Sequence, residues 1–186
     1  QKGSLVKDSY LRFDFSHFQR MTDEEVAQVE RIVNDRIREN IALQEHRSMP
    51  IEEAKNAGAT MLFGEKYGDF VRMITFDKDF SRELCGGCHV SQTGQIGQFK
   101  ITSESGVSAG VRRIEAITAA SAESYVNDKI STLSDIKGLF KGTKDVHKSV
   151  QDMQDENKAL RKEVEALMVA QAGNIQGDLV KSAEEI

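Results

Sequence analysis

Apolar and polar positions change period several times along the first two-thirds of the chain. Residues 4–15 set Leu5, Val6, Tyr10, Leu11, Phe13 and Phe15 among polar neighbours in a broken alternation, which predicts strand and turn. Thr22, with Glu25 three residues on, forms a capping box, and Asp23-Glu24-Glu25 suit the positive end of a helix. Val26, Val29, Val33, Ile37 and Ile41 then recur at spacings of three and four, so residues 22–40 are predicted to be a helix with one apolar stripe toward the core. Ile41-Ala42-Leu43 reads as a short strand, and Pro50 as the start of a short helix through Ala57, stopped by Gly58. Residues 70–76 are a clear strand, and 81–98, rich in Gly and polar residues, read as loop and turn. Two more strands, 99–103 and 111–118, are joined by a turn around Gly106 and Gly110.

From Ala119 onward the spacing is helical. A first helix ends between Gly138 and Gly142, and the most regular stretch of the chain follows. Val146, Val150, Met153, Asn157, Leu160, Val164 and Leu167 are separated by 4, 3, 4, 3, 4 and 3 residues, a heptad seam with Asn157 as its single polar a position. Gln171 ends the apolar seam, and Gly173 and Gly177 are predicted to close the helix. Such an arm either self-associates through 146–167 or folds back on 119–140. The order is a mixed α+β body followed by a helical arm.

Composition narrows the choice of partners. With 186 residues, 39% apolar and only 6% aromatic, the chain suits one medium domain with a modest core and an appendage. A formal charge of -5, from 25 basic against 30 acidic residues, excludes a protein that grips phosphates with its whole face, so any nucleic-acid contact is local. No apolar run approaches the roughly 20 residues needed to cross a bilayer. Two cysteines three apart do not make a disulfide framework, and fit a reducing, cytoplasmic setting. Gln1 opens directly on Gly3-Ser4-Leu5-Val6, which looks like the inside of a fold rather than a leader.

The most informative stretch is Glu83-Leu84-Cys85-Gly86-Gly87-Cys88-His89-Val90. Cys85-x-x-Cys88-His89 matches a haem-attachment pattern, but strands rather than a helical wrap are predicted on either side. Cys-x-x-Cys also matches a redox pair, which belongs at a helix N-terminus, whereas Cys88 runs into His-Val-Ser-Gln-Thr-Gly. Cys85 and His89, four apart around Gly86-Gly87, make half a zinc site, since thiolate and imidazole are usual zinc ligands and glycines let the backbone turn tightly. Zinc needs further ligands, and His17, His46 and His147 show no paired spacing. Two packed cysteines beside a surface histidine is the remaining reading.

Cys-Gly-Gly-x-His-Val, preceded by Phe80-Ser81-Arg82-Glu83-Leu84 and followed by Thr93-Gly94-x-Ile96-Gly97, resembles the second zinc motif of the editing domain in the alanyl-tRNA synthetase family. Gln1-Lys2-Gly3-Ser4-Leu5-Val6 and Leu11-Arg12-Phe13-Asp14-Phe15-Ser16-His17 resemble the same family, as do Ala57-Gly58-Ala59-x-Met61-Leu62-Phe63-Gly64-Glu65-Lys66-Tyr67-Gly68 and the run from Ser103-Glu104-Ser105-Gly106 through Gly110-Val111-Arg112-Arg113-Ile114-Glu115-Ala116. These segments fall in the family's order and cover residues 1–118 nearly continuously. The arm with Asp155-Glu156-Asn157-Lys158 is similar to the segment that follows the editing domain there.

The resemblance implies an α+β fold: a two-layer editing-type domain over 1–118, antiparallel sheet with packed helices, N-terminally truncated, followed by a long helical arm over 119–186 with a heptad coiled coil at about 146–167. It implies hydrolysis of the ester in mischarged seryl- or glycyl-tRNA, within an alanine–tRNA ligase whose ATP and Mg2+ belong to an aminoacylation domain outside this sequence. Cys85 and His89 match one pair of zinc ligands; the family's other pair, His-x-x-x-His, would lie before Gln1, so this chain is expected to bind zinc weakly or not at all and to be impaired in deacylation. Cys88 departs from the family's usual Thr, and either packs or substitutes as a ligand. Gln1 and Ser4 fall where the family lines the editing pocket, with strand-edge hydrogen bonding as the alternative for Ser4. Arg72 and Arg112-Arg113 either meet phosphate or form the wet face of a sheet. The implied partner is tRNA, with possible self-association through the coiled coil, no membrane and a cytoplasmic location. A free-standing trans-editing deacylase and a non-catalytic coiled-coil module remain as alternatives. Threonyl-tRNA synthetase editing domains share the ligand spacing, but Gly86-Gly87 fits the alanyl type better.

Overall fold

Thr22 begins the helix as its capping box requires: the Thr22 hydroxyl accepts from the Glu25 amide at 3.2 Å and the Glu25 carboxylate accepts from the Thr22 amide at 2.8 Å. Two of the orphan donors of the first turn are thereby satisfied. A computed structural model describes residues 1–62, 66–140 and 142–184. Phe63, Gly64 and Glu65, part of the family-like run after Ala57, lie outside the described residues.

The elements in chain order are β1 (Gly3–Val6), β2 (Leu11–Ser16), α1 (Asp23–Arg38), β3 (Gln44–Pro50), α2 (Ile51–Asn56), β4 (Phe70–Asp77), β5 (Ser81–Leu84), a 3-10 turn (Thr93–Ile96), β6 (Phe99–Ser108), β7 (Val111–Thr118), α3 (Ala119–Gly138) and α4 (Val146–Glu184). The class is α+β, but the strands make two antiparallel sheets rather than one. One has the order β1-β2-β7-β6 and the other β3-β4-β5. The first buries Ile101, Ile114 and Ala116 against Leu11, Phe15 and the Val26 and Val29 stripe of α1. The second buries Val71, Met73 and Leu84 against Ala54 of α2.

Several expected boundaries move, each for a physical reason. The strand expected at 41–43 is only a single bridge, Ala42 to Gln92, and pairing begins at Gln44. β3 and β5 were hidden by their polarity, because they are the edge strands of their sheet and carry charged residues outward. β6 runs through Gly106 to Ser108 with a register shift there, so the turn tightens to residues 109–110, where Gly110 has φ 71. α4 continues past Gly173 and Gly177 to Glu184, since a glycine inside a helix costs only about 1 kcal/mol and does not end one without a capping geometry.

The stretch after the cysteine–histidine loop is tied to α1. Thr93 Oγ1 accepts from the Ile41 amide at 2.8 Å and donates to the Arg36 carbonyl at 2.8 Å, at the C-terminal end of the helix. The Gly94 amide donates to Asn40 Oδ1 at 3.2 Å, and a Cβ at Gly94 would fall 2.4 Å from that oxygen. Thr93-Gly94, family-like in sequence, is therefore a structural latch.

The chain divides into two compact units, Gln1–Asn127 and Asp128–Ile186. In the second, the seam residues Met153, Leu160, Val164 and Leu167 are 52%, 52%, 51% and 63% exposed, and Ile130 and Leu133 are also exposed, so the seam is not covered by a fold-back. Among the described residues no helix is long and apolar enough to cross a membrane.

Candidate metal-binding loop

β4 and β5 hold the cysteine–histidine loop at its start. Cys85 follows β5 directly, and its amide donates to the Arg72 carbonyl on β4 at 3.3 Å. The Arg72 guanidinium reaches three acceptors: Nε donates to Glu45 Oε1 on β3 at 2.6 Å, and Nη1 donates to the Cys85 carbonyl at 3.0 Å and to the Gly87 carbonyl. His89 Nδ1 lies 3.0 Å from that same Gly87 carbonyl. A carbonyl only accepts, so Nδ1 carries the hydrogen and the Nε2 lone pair of the neutral ring is left available. The His89 ring also lies 6.4 Å from that of Phe76.

Cys85 is partly buried and Cys88 exposed, and both are free thiols. Gly86 and Gly87 do not adopt left-handed φ, so the turn does not demand glycine on that ground. A Cβ on Gly87 would come 3.6 Å from Cys85 Sγ, so its absence leaves one flank of the sulfur uncovered. No helix starts at Cys88; the chain continues irregularly to the 3-10 turn, which supports neither the redox nor the haem pattern. A cleft of about 230 Å³ lies beside the loop, lined by Tyr67, Phe70, Arg72, Leu84 and Cys85. The larger groove of about 650 Å³ runs along α1 and carries neither thiol nor imidazole.

Among the described residues, no group of three or more His, Cys, Asp or Glu side chains is gathered for a metal ion. Cys88 is thus not brought in beside Cys85 and His89 as a third donor. The donors that are present, a partly buried thiol and an imidazole with its Nδ1 already engaged, fit two positions of a zinc site.

Gln1 precedes β1 and Ser4 lies on it, in the other sheet. Gln1 Nε2 donates to Ser4 Oγ at 2.8 Å, both side chains being exposed, and among the described residues no hydrogen bond joins either to the cysteine–histidine loop.

The three arginines weighed as phosphate contacts are all committed elsewhere. Arg113 grips Asp14 through two bonds of 2.7 and 2.8 Å, directly across the β2–β7 register. Arg112 makes a two-pronged contact with Glu104, and Arg72 takes Glu45. A Cβ on Gly3 would sit 3.1 Å from Asp14 Oδ2, so the glycine makes room for this carboxylate. These partners escaped the sequence because each is set by strand pairing: Asp14 and Arg113 face each other across 99 residues, while Arg112–Glu104 and Arg72–Glu45 are diagonal pairs on neighbouring strands.

Hydrogen bonds from the arginines hold all three carboxyls below their ordinary range: Arg113 for Asp14, Arg72 for Glu45 and Arg112 for Glu104. The unfolded chain therefore takes up protons at a higher pH than the folded one. The contribution of these pairs is complete above about pH 5 and is lost as pH falls below about 4, through the folded-state values. The thermal midpoint, followed by circular dichroism, is expected to be flat above that window and to fall below it, less steeply in Asp14→Asn. A midpoint unchanged through the acid range would count against this assignment.

Residues 71–115, which contain the loop, match the family described as the Threonyl and Alanyl tRNA synthetase second additional domain. The loop and the strands β4 to β7 around it thus match a synthetase-associated additional domain. Over all 186 residues the chain is 56% identical to the alanine–tRNA ligase of Cytophaga hutchinsonii and 54% identical to that of Bacteroides fragilis. The Bacillus pumilus alanine–tRNA ligase is 46% identical over the whole chain. The chain spans 21% of the length of each of these curated relatives. Over its whole length the chain is thus similar to part of an alanyl-tRNA synthetase.

Proposed function

We propose that residues 1–118 are part of an editing domain that hydrolyses the ester of mischarged seryl- or glycyl-tRNA, within an alanine–tRNA ligase, and that 119–186 form its helical arm. A synthetic site that discriminates a methyl or hydroxyl poorly requires a second, hydrolytic site, which gives such a domain its purpose. The tRNA, the ATP and Mg2+ of aminoacylation and a cytoplasmic setting belong to this reading.

The observation that carries it is the loop. Cys85 and His89 stand on one braced turn, and the Gly87 carbonyl takes His89 Nδ1 and leaves Nε2 for a metal. These two residues would hold zinc together with a His-x-x-x-His pair outside residues 1–186. Bound zinc supplies a Lewis acid that orients the aminoacyl end or polarises the attacking water. Gln1 and Ser4 would line the pocket: their polar groups, at the margin of the sheet, are exposed to an incoming ligand. Agreement of the whole chain, arm included, with alanine–tRNA ligases favours this over a free-standing trans-editing protein.

The test is deacylation of seryl-tRNA by the 186-residue chain and by a form extended upstream by about 30 residues, the length of a supersecondary unit. Activity is expected only in the extended form. Stoichiometric zinc with four protein ligands in the shorter chain, or equal activity in both, would overturn the two-pair reading.

The exposed seam of α4 favours a second role, self-association of the arm, which sedimentation equilibrium measures directly.

A further inference from the structure

The loop has a support that its own sequence does not contain. Arg72 sits on β4 with its side chain only 25% exposed, and its guanidinium joins Glu45 on β3 to two carbonyls of the cysteine–histidine turn. One of those carbonyls, that of Gly87, also receives His89 Nδ1, so a continuous chain of contacts runs Glu45, Arg72, Gly87 carbonyl, His89. The Arg72 backbone carbonyl completes the brace by accepting the Cys85 amide.

We propose that Arg72, anchored by Glu45, is a positioning residue: it fixes the Gly87 carbonyl, and through it the Nδ1–H tautomer and ring orientation of His89. The proposal rests on the reading of Cys85 and His89 as metal ligands for its purpose, but not for its geometry. A guanidinium suits the task because it is planar, permanently charged and presents donors in several directions at once. Lysine at 72 would keep the charge, but its donors share one nitrogen, which cannot stand both where Nε meets Glu45 and where Nη1 meets the two carbonyls. Without the arginine, the Gly87 carbonyl is free to rotate toward water, and among the described residues no other hydrogen bond selects one ring nitrogen of His89 over the other. Outer contacts of this kind typically alter metal affinity by about 10- to 100-fold, because they set both the tautomer and the aim of the ligand.

The decisive measurement needs no metal. A long-range 1H–15N correlation spectrum of the 186-residue chain, recorded above the imidazole titration range, reports the tautomer of His89. In the unaltered chain His89 is expected as the Nδ1–H form. In Arg72→Gln, and equally in Arg72→Lys, a mixture with the Nε2–H form is expected, the lysine variant serving where the glutamine variant folds poorly. A merely structural arginine would lower the thermal midpoint and leave the tautomer as it was. An unchanged Nδ1–H form in a folded variant, or Nε2–H in the unaltered chain, overturns the proposal.

Titration of Zn2+ into the upstream-extended form separates the two ideas. An affinity drop of about 10- to 100-fold in Arg72→Lys, with the tautomer change, supports both. A tautomer change in a protein that binds no Zn2+ with or without Arg72 sustains the positioning role and defeats the metal reading. Tight Zn2+ binding unaffected by Arg72→Lys, with the tautomer unchanged, does the reverse.

Discussion

Cys85→Ser in the upstream-extended protein is expected to reduce zinc affinity by more than the roughly 10- to 100-fold that loss of an outer contact costs, and to abolish deacylation of seryl-tRNA. The thiolate is a soft, anionic donor that a serine hydroxyl does not replace at neutral pH. His89→Ala is expected to do the same by removing Nε2, the nitrogen left available by the Gly87 contact. The informative control is Cys88→Thr. Cys88 is exposed and is not gathered with the other donors, so zinc affinity should stay as it was. Titration against a competing chelator distinguishes these outcomes. Undiminished binding in Cys85→Ser, or a loss in Cys88→Thr equal to that in Cys85→Ser, would mean that the wrong thiol has been assigned.

Leu160→Glu is the second large effect expected, this time on assembly. The seam of α4 has Val150, Asn157 and Val164 at a positions and Met153, Leu160 and Leu167 at d positions. β-Branched residues at a with leucine at d favour two parallel strands, and a lone asparagine at a sets their register at some cost in stability. Glu156 and Arg161 flank the seam at g and e, where a parallel partner would bring opposite charges together. A glutamate at d would lie in the interface without a counter-charge. The usual penalty is roughly 3–5 kcal/mol, a weakening of association by about two to four orders of magnitude. Sedimentation equilibrium should show a concentration-dependent mass for the unaltered chain and a monomer for Leu160→Glu. An unaltered chain that stays monomeric at high concentration sinks the assignment.

What the sequence disclosed depended on how local each determinant is. The capping box of α1 needs residues three apart, and it was legible in full. β4 and β7 were legible because their apolar residues are buried in the sheets. β3 and β5 were not, since an edge strand of mixed polar residues has no periodicity that separates it from loop. The cysteine–histidine loop was legible as a pattern, but its zinc reading needed the resemblance, because two donors are compatible with packing alone. Arg72 was the hardest case. Its partners lie on β3 and in the loop, and only the pairing of β3 with β4 and β4 with β5 brings them together.

The latch at Thr93 has a thermodynamic consequence for the proposed zinc site. The loop is pinned at Cys85 by the Arg72 carbonyl and at its far end by the Ala42–Gln92 bridge and the Thr93 hydroxyl. Only the short span between these pins is left to organise when a cation arrives. Closing a loop costs entropy that grows with its free length, so a span held at both ends has little freedom left to lose. The second sheet and the end of α1 thus act as a preset frame for Cys85 and His89.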